Sequence, residues 1–91
     1  MKKALRIYIT GSLQSMFFKN FIKENADAND VKGFLRNLED GRVEIFLEGQ
    51  NDNVEAMAKI CKQGPKYAQI RGIEEKPERL QDFKEFKIFK F

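Results

Sequence analysis

The segment Gly11-Ser12-Leu13-Gln14-Ser15-Met16-Phe17-Phe18-Lys19 is where this chain could do chemistry. A strand-like stretch runs into it and a helix-like stretch leaves it. Backbone N–H groups at a helix start have no partner within the helix, and the helix dipole is positive there. Such a loop can close as a nest of amides around a phosphate. Lys19 falls in the first turn of a helix beginning near Phe18, where a cation opposes the dipole unless an anion lies between them. On the loop alone, the plainer reading is favoured: a solvated lysine on an exposed helix face.

Composition narrows the chemistry. The chain has 91 residues, with 17 Lys plus Arg against 14 Asp plus Glu and a net charge of +3. That balance allows an anionic ligand without demanding nucleic acid. There is no histidine, so no His base and no His-ligated metal. The single cysteine, Cys61, excludes a Cys-based zinc site and an internal disulfide. It falls on an apolar helix stripe and is expected to be an inert buried thiol. No cofactor and no metal are called for. No apolar run approaches the ~18–20 residues of a membrane span. The start Met1-Lys2-Lys3-Ala4-Leu5-Arg6 is broken by Arg6 and does not read as a signal peptide. The expectation is a cytoplasmic monomer with a single domain over residues 1–91, a length that supports two thin layers.

The elements that must position the loop follow from periodicity. Leu5 to Thr10 alternates as a half-buried strand does, and Gly11 to Ser15 reads as a loop. Phe18, Phe21, Ile22 and Ala26 mark one face of a helix. Val31 to Asn37 reads as a second strand, Leu38-Glu39-Asp40-Gly41 as a hairpin connection, and Arg42 to Glu48 as a third strand. Asp52, three residues before Glu55, has capping-box spacing. Val54, Met57, Ala58 and Cys61 then form the stripe of a second helix, stopped at Gly64-Pro65. Tyr67 to Ile73 reads as a fourth strand, Pro77 to Gln81 as a loop, and Phe86 to Phe91 as a short fifth strand. The order predicts an α+β, ferredoxin-like βαββαβ sandwich: one antiparallel sheet, two helices on one face, and a short C-terminal strand.

Residues 11–19 resemble the acylphosphatase signature G-x-V-Q-G-V-x-F-R. Gly33-Phe34-Leu35-Arg36-Asn37, followed by Asp40-Gly41 and Val43-Glu44, is similar to that family's second motif, G-W-V-x-N-x-x-D-G-x-V-E. Gly49, Gly64-Pro65-Lys66-Tyr67-Ala68 and Phe86-Lys87-Ile88 resemble its later landmarks. The likeness runs in register along nearly the whole chain. It implies hydrolysis of the carboxyl-phosphate bond of acyl phosphates. The phosphate would be held by the amides of Gly11, Ser12, Leu13, Gln14, Ser15, Met16, Phe17 and Phe18 together with the residue at position 19. Asn37 would orient the attacking water. Two positions depart from the family: Lys19 stands where it has arginine, and Ser15 where it has glycine. A positive φ at position 15 would cost of order ~1 kcal/mol with a side chain there.

An acyl phosphate asks little of its enzyme. Its leaving group is a carboxylate whose conjugate acid has a pKa near ~4, so no general acid is required. What remains is positioning water and stabilising charge on the phosphoryl oxygens. An amide side chain and a cationic nest suffice, which is compatible with a chain lacking histidine. Lysine keeps the charge but loses the planar two-point fork of arginine. Losing one charge-assisted hydrogen bond of ~1.5–3 kcal/mol would slow turnover roughly 10- to 150-fold. The expectation is a slow acylphosphatase binding acyl phosphate, phosphate or sulfate. The alternative is an inactive anion-binding or protein-interaction module.

Alternation also places Tyr8, Phe34, Phe46, Phe89 and Phe91 on the sheet face away from the helices. One reading is a contact surface for a partner. The plainer and favoured one is a wet face partly covered by loops and the chain end. RNA-recognition domains stack bases on such aromatics. Here Glu44 and Glu48 flank Phe46 and would repel phosphate, so nucleic acid is not the expected partner.

Overall fold

The computed structural model describes residues 1–13 and 15–89, so Gln14, the Ser15 side chain, Lys90 and Phe91 lie outside the described residues. In chain order the elements are β1 (Lys2–Ser12), α1 (Ser15–Ala28), β2 (Lys32–Asn37), β3 (Val43–Gln50), α2 (Asn51–Gln63), β4 (Gln69–Glu78) and β5 (Phe86–Ile88). They form one five-stranded sheet in the order β4-β1-β3-β2-β5, with both helices on one face. This is the expected ferredoxin-like sandwich. The first four strands pair antiparallel, and β5 adds to β2 in parallel.

Alternation builds the layer between sheet and helices. Ile7 and Leu35 both lie opposite Ile45, so three apolar side chains cross the sheet in one row. Leu5, Ile9, Val43 and Leu47 extend that surface, and the stripes Phe18, Ile22, Ala26 of α1 and Val54, Met57, Ala58, Cys61 of α2 cover it. Each large side chain removed from water contributes about 1.5–3 kcal/mol. Burial pushes the Cys61 thiol up to about 12, so it stays protonated and unreactive near neutral pH.

Three local expectations are corrected. β4 runs through Pro77, which pairs with Leu5 where a loop was expected. β4 is an edge strand with one side unpartnered, the setting in which a sheet tolerates proline. Asp52 caps nothing: α2 starts at Asn51 after Gln50 with no side-chain cap, and Asp52 is the acid of its first turn. α1 starts at Ser15, a helical position, so Lys19 lies one turn in and feels less of the dipole than expected.

The outer face is covered by a loop and the chain end, as the favoured reading has it, but more completely than a wet face would be. Phe34 and Phe46 are buried there with Ala4, under Phe83. The Phe34 ring lies 5.7 Å from Phe46, 5.6 Å from Phe83 and 5.1 Å from Phe89. The buried Glu48 carboxylate holds the covering segment by accepting the backbone N–H groups of Gln81, Asp82 and Phe83 at 2.7, 3.2 and 2.6 Å. Tyr8 is half-buried beneath the Arg42 guanidinium at 4.6 Å. The chain covers its own aromatics, so Phe34 and Phe46 are not open to a partner, and Phe89 is only 37% exposed. No helix among the described residues is long and apolar enough to cross a membrane.

Candidate active site

The cleft forms where β1 ends and α1 begins. At Gly11 the backbones of β1 and β4 approach so closely that a Cβ would stand 2.1 Å from the Gln69 carbonyl oxygen. Only glycine fits there, and the strand can therefore turn into the loop tight against β4. Leu13 and Phe18 drop into the core on either side of the loop and anchor it.

The opposite wall is the β2–β3 hairpin. Asn37 ends β2 opposite Val43. Leu38 N–H donates to Arg42 at 2.8 Å, Gly41 N–H donates to Leu38 at 3.1 Å, and Gly41 takes φ 92°. Asp40 accepts the Arg42 backbone N–H at 3.0 Å and its guanidinium at 2.8 Å. Those hydrogen bonds hold the Asp40 carboxyl below its usual range, the backbone one contributing most. The carboxylate nearest the hairpin tip is thus tied to Arg42.

Between the two walls lies a cleft of about 330 Å³ lined by Gly11, Leu13, Phe18, Lys19, Asn37, Gly41 and Val43. Five residues named from the sequence meet here: Gly11, Leu13, Phe18, Lys19 and Asn37. Ser12, Met16 and Phe17 do not line it. Met16 and Phe17 are exposed beside it, and Phe17 sets its ring edge-on to Tyr67 at 6.0 Å. Gly41 and Val43 were assigned to the turn and the core, with no reason in the sequence to place them at a site.

Lys19 is half-buried and has no ion-pair partner among the described residues. The next lysine along the helix, Lys23, is engaged: it donates to Asp27 at 3.0 Å and to the Phe86 carbonyl at 3.1 Å. Arg36 and Arg6 both reach the buried Glu44, and Arg6 also bonds Glu78 at 3.0 Å. Burial works against the Arg6 charge, but the hydrogen bonds to Glu78 and Glu44 outweigh it and hold its pKa above the usual value. Arg36 points to the face away from Asn37, as alternation predicts. No motif assigns Arg71 to the loop, and its guanidinium donates to the Ser12 hydroxyl at 3.2 Å.

Fold and cleft together define a class: a small α+β sandwich with glycines, a lysine and a carboxamide lining one cleft. The chain belongs to the acylphosphatase family of hydrolases, whose sequence model matches residues 5–88. It is 39% identical over 72 residues to an acylphosphatase of Rubrobacter xylanophilus, covering 79% of this chain and 66% of that one. It is 33% identical over 85 residues to an acylphosphatase of Archaeoglobus fulgidus, covering 93% and 96% of the two chains. The crystal structure of acylphosphatase from Bacillus subtilis superposes with a TM-score of 0.88 at 28% identity, covering 99% of this chain and 100% of that one.

Proposed function

We propose that this chain hydrolyses acyl phosphates to a carboxylate and inorganic phosphate, slowly for its family, and that the cleft is its active site. The observation that carries this reading is that Lys19 and Asn37, far apart in sequence, line one cleft. The loop amides and the Lys19 ammonium bind the phosphoryl oxygens. The Asn37 carboxamide orients a water toward phosphorus. The water oxygen bonds to phosphorus as the bond to the carboxylate oxygen breaks. The electron pair leaves with the carboxylate, and the proton of the water passes to solvent or to the phosphate formed. No acid is needed because the leaving group is stable as an anion at neutral pH. The loop and the cation stabilise the negative charge carried by the phosphoryl oxygens in the transition state.

Lysine in place of arginine sets the rate. A point charge neutralises the phosphoryl group but cannot hold two oxygens in one plane. Binding of phosphate therefore suffers less than turnover. Benzoyl phosphate hydrolysis tests the reading: the native chain should cleave it above background and Asn37→Ala should lose that activity. Phosphate binding with no hydrolysis, even at high protein concentration, would instead select the inactive anion-binding module.

A further inference from the structure

The fold delivers an arginine to the loop from an unexpected strand. Along β1 and β4 the pairing runs Ile9 to Ile73 and Thr10 to Gly72, then shifts so that Gly11 faces Ile70 and Ser12 faces Gln69. Arg71 is left with no residue opposite it, the extra residue of a β-bulge. Bulges redirect side chains, often beside active sites. Here the shift lets Ile70 pack on the main core while the Arg71 guanidinium reaches the Ser12 hydroxyl at 3.2 Å. Ser12 sits between Gly11 and Leu13, which line the cleft, while its own side chain and that of Arg71 are exposed and outside that lining, so the guanidinium must swing to reach an anion held there.

Arg71 also differs from the arginines around it. Arg6, Arg36 and Arg42 are each held by carboxylates. Among the described residues Arg71 has a hydroxyl as partner and no carboxylate. A neutral hydroxyl is a weak partner for a guanidinium and gives way readily to an anion. Accepting the cleft as the phosphate site, we propose that Arg71 is a second cation of that site, which leaves Ser12 for the phosphoryl oxygens when substrate binds. It makes up from β4 part of the two-point grip that position 19 lacks. The anionic loop complex is then held by an ammonium from α1 and a guanidinium from β4.

The test compares the native chain with Lys19→Ala, Arg71→Ala, Arg71→Lys, Lys19→Arg and the Lys19→Arg/Arg71→Ala double variant. Binding of inorganic phosphate and hydrolysis of benzoyl phosphate are measured for each, with thermal unfolding as a folding control. Arg71→Ala should weaken phosphate binding and lower kcat/KM by about 10-fold or more, and Arg71→Lys should recover part of the loss. With arginine restored at position 19, removing Arg71 should cost about threefold or less, because the two forks substitute for one another. An equal loss in both backgrounds would assign Arg71 a structural role through Ser12 and overturn the proposal. So would phosphate affinity within about twofold of native in Arg71→Ala while Lys19→Ala abolishes binding. Absence of both phosphate binding and hydrolysis in the native chain would instead remove the phosphate site itself, and this inference with it.

Discussion

The outer face of the sheet and the cleft at its end both carry cations beside aromatic or amide-rich surface, yet they treat charge in opposite ways. On the outer face Arg6 and Arg36 converge on Glu44, Glu78 takes Arg6 as well, and Glu48 is saturated by three backbone N–H groups. At the cleft Lys19 has no carboxylate partner among the described residues. Matched charge holds a fold together, while unmatched positive charge in a concave, glycine-lined place waits for an anion. The same contrast separates the aromatics: Phe34 and Phe46 are sealed by the chain itself, whereas Phe17 stays exposed beside the cleft.

The comparison can be broken first on the outer face. Glu48→Ala would free three backbone donors and release residues 81–83, costing about 3 kcal/mol of unfolding free energy in urea titrations. The benzoyl phosphate activity of the folded fraction should not change, and a matching loss of kcat would show that the two regions are not independent. At the cleft, Asn37→Ala should lower kcat about 100-fold or more with little change in unfolding free energy, by analogy with removing one preorganised polar group. Lys19→Arg should raise kcat/KM about 10-fold, the reverse of the loss expected for lysine.

The smallest effect at ordinary pH belongs to the core both regions share. The Cys61 thiol is raised from its usual 9.0 to about 12. The folded state therefore holds its proton where the unfolded chain has lost it. The sign follows: this stabilisation is complete below about pH 9 and falls by about 1.4 kcal/mol per pH unit as pH rises toward 12. Cys61→Ala should remove that alkaline slope, and a thiol reagent should label the native chain only on unfolding.

Where one physical rule dominated, the sequence could be read. Strict alternation in Val43 to Leu47 set that strand's faces, and Gly64 ends α2 as expected, its N–H donating to Ile60 at 2.9 Å. Pro77 misled because a proline is excluded from central strands but not from an edge, and edge position is a property of the whole sheet. Residues 79–85 carry no periodicity, so nothing announced that they would fold over Phe34 and Phe46. Their anchor is a glutamate, Glu48, whose alternation marked it as outward but not as buried. At the site, the Gly11–Lys19 loop was visible as a helix entrance. Asn37 joined it only through the motif resemblance, since no local pattern encodes that β2 ends opposite the start of α1. Arg71 could be named as an arginine but not placed, because a one-residue register shift between β1 and β4 leaves no mark in either strand's sequence.

The central claim is that an anion binds between Lys19 and Asn37 and nowhere on the outer face. Titrating inorganic phosphate into isotope-labelled protein and following backbone and Asn37 side-chain amide resonances tests this most directly. The account predicts shifts concentrated at residues 11–19 and at the Asn37 carboxamide, and their loss in Lys19→Ala. Saturable shifts at Glu48 and residues 79–85 with the cleft unmoved, or no shift at Asn37, would contradict it.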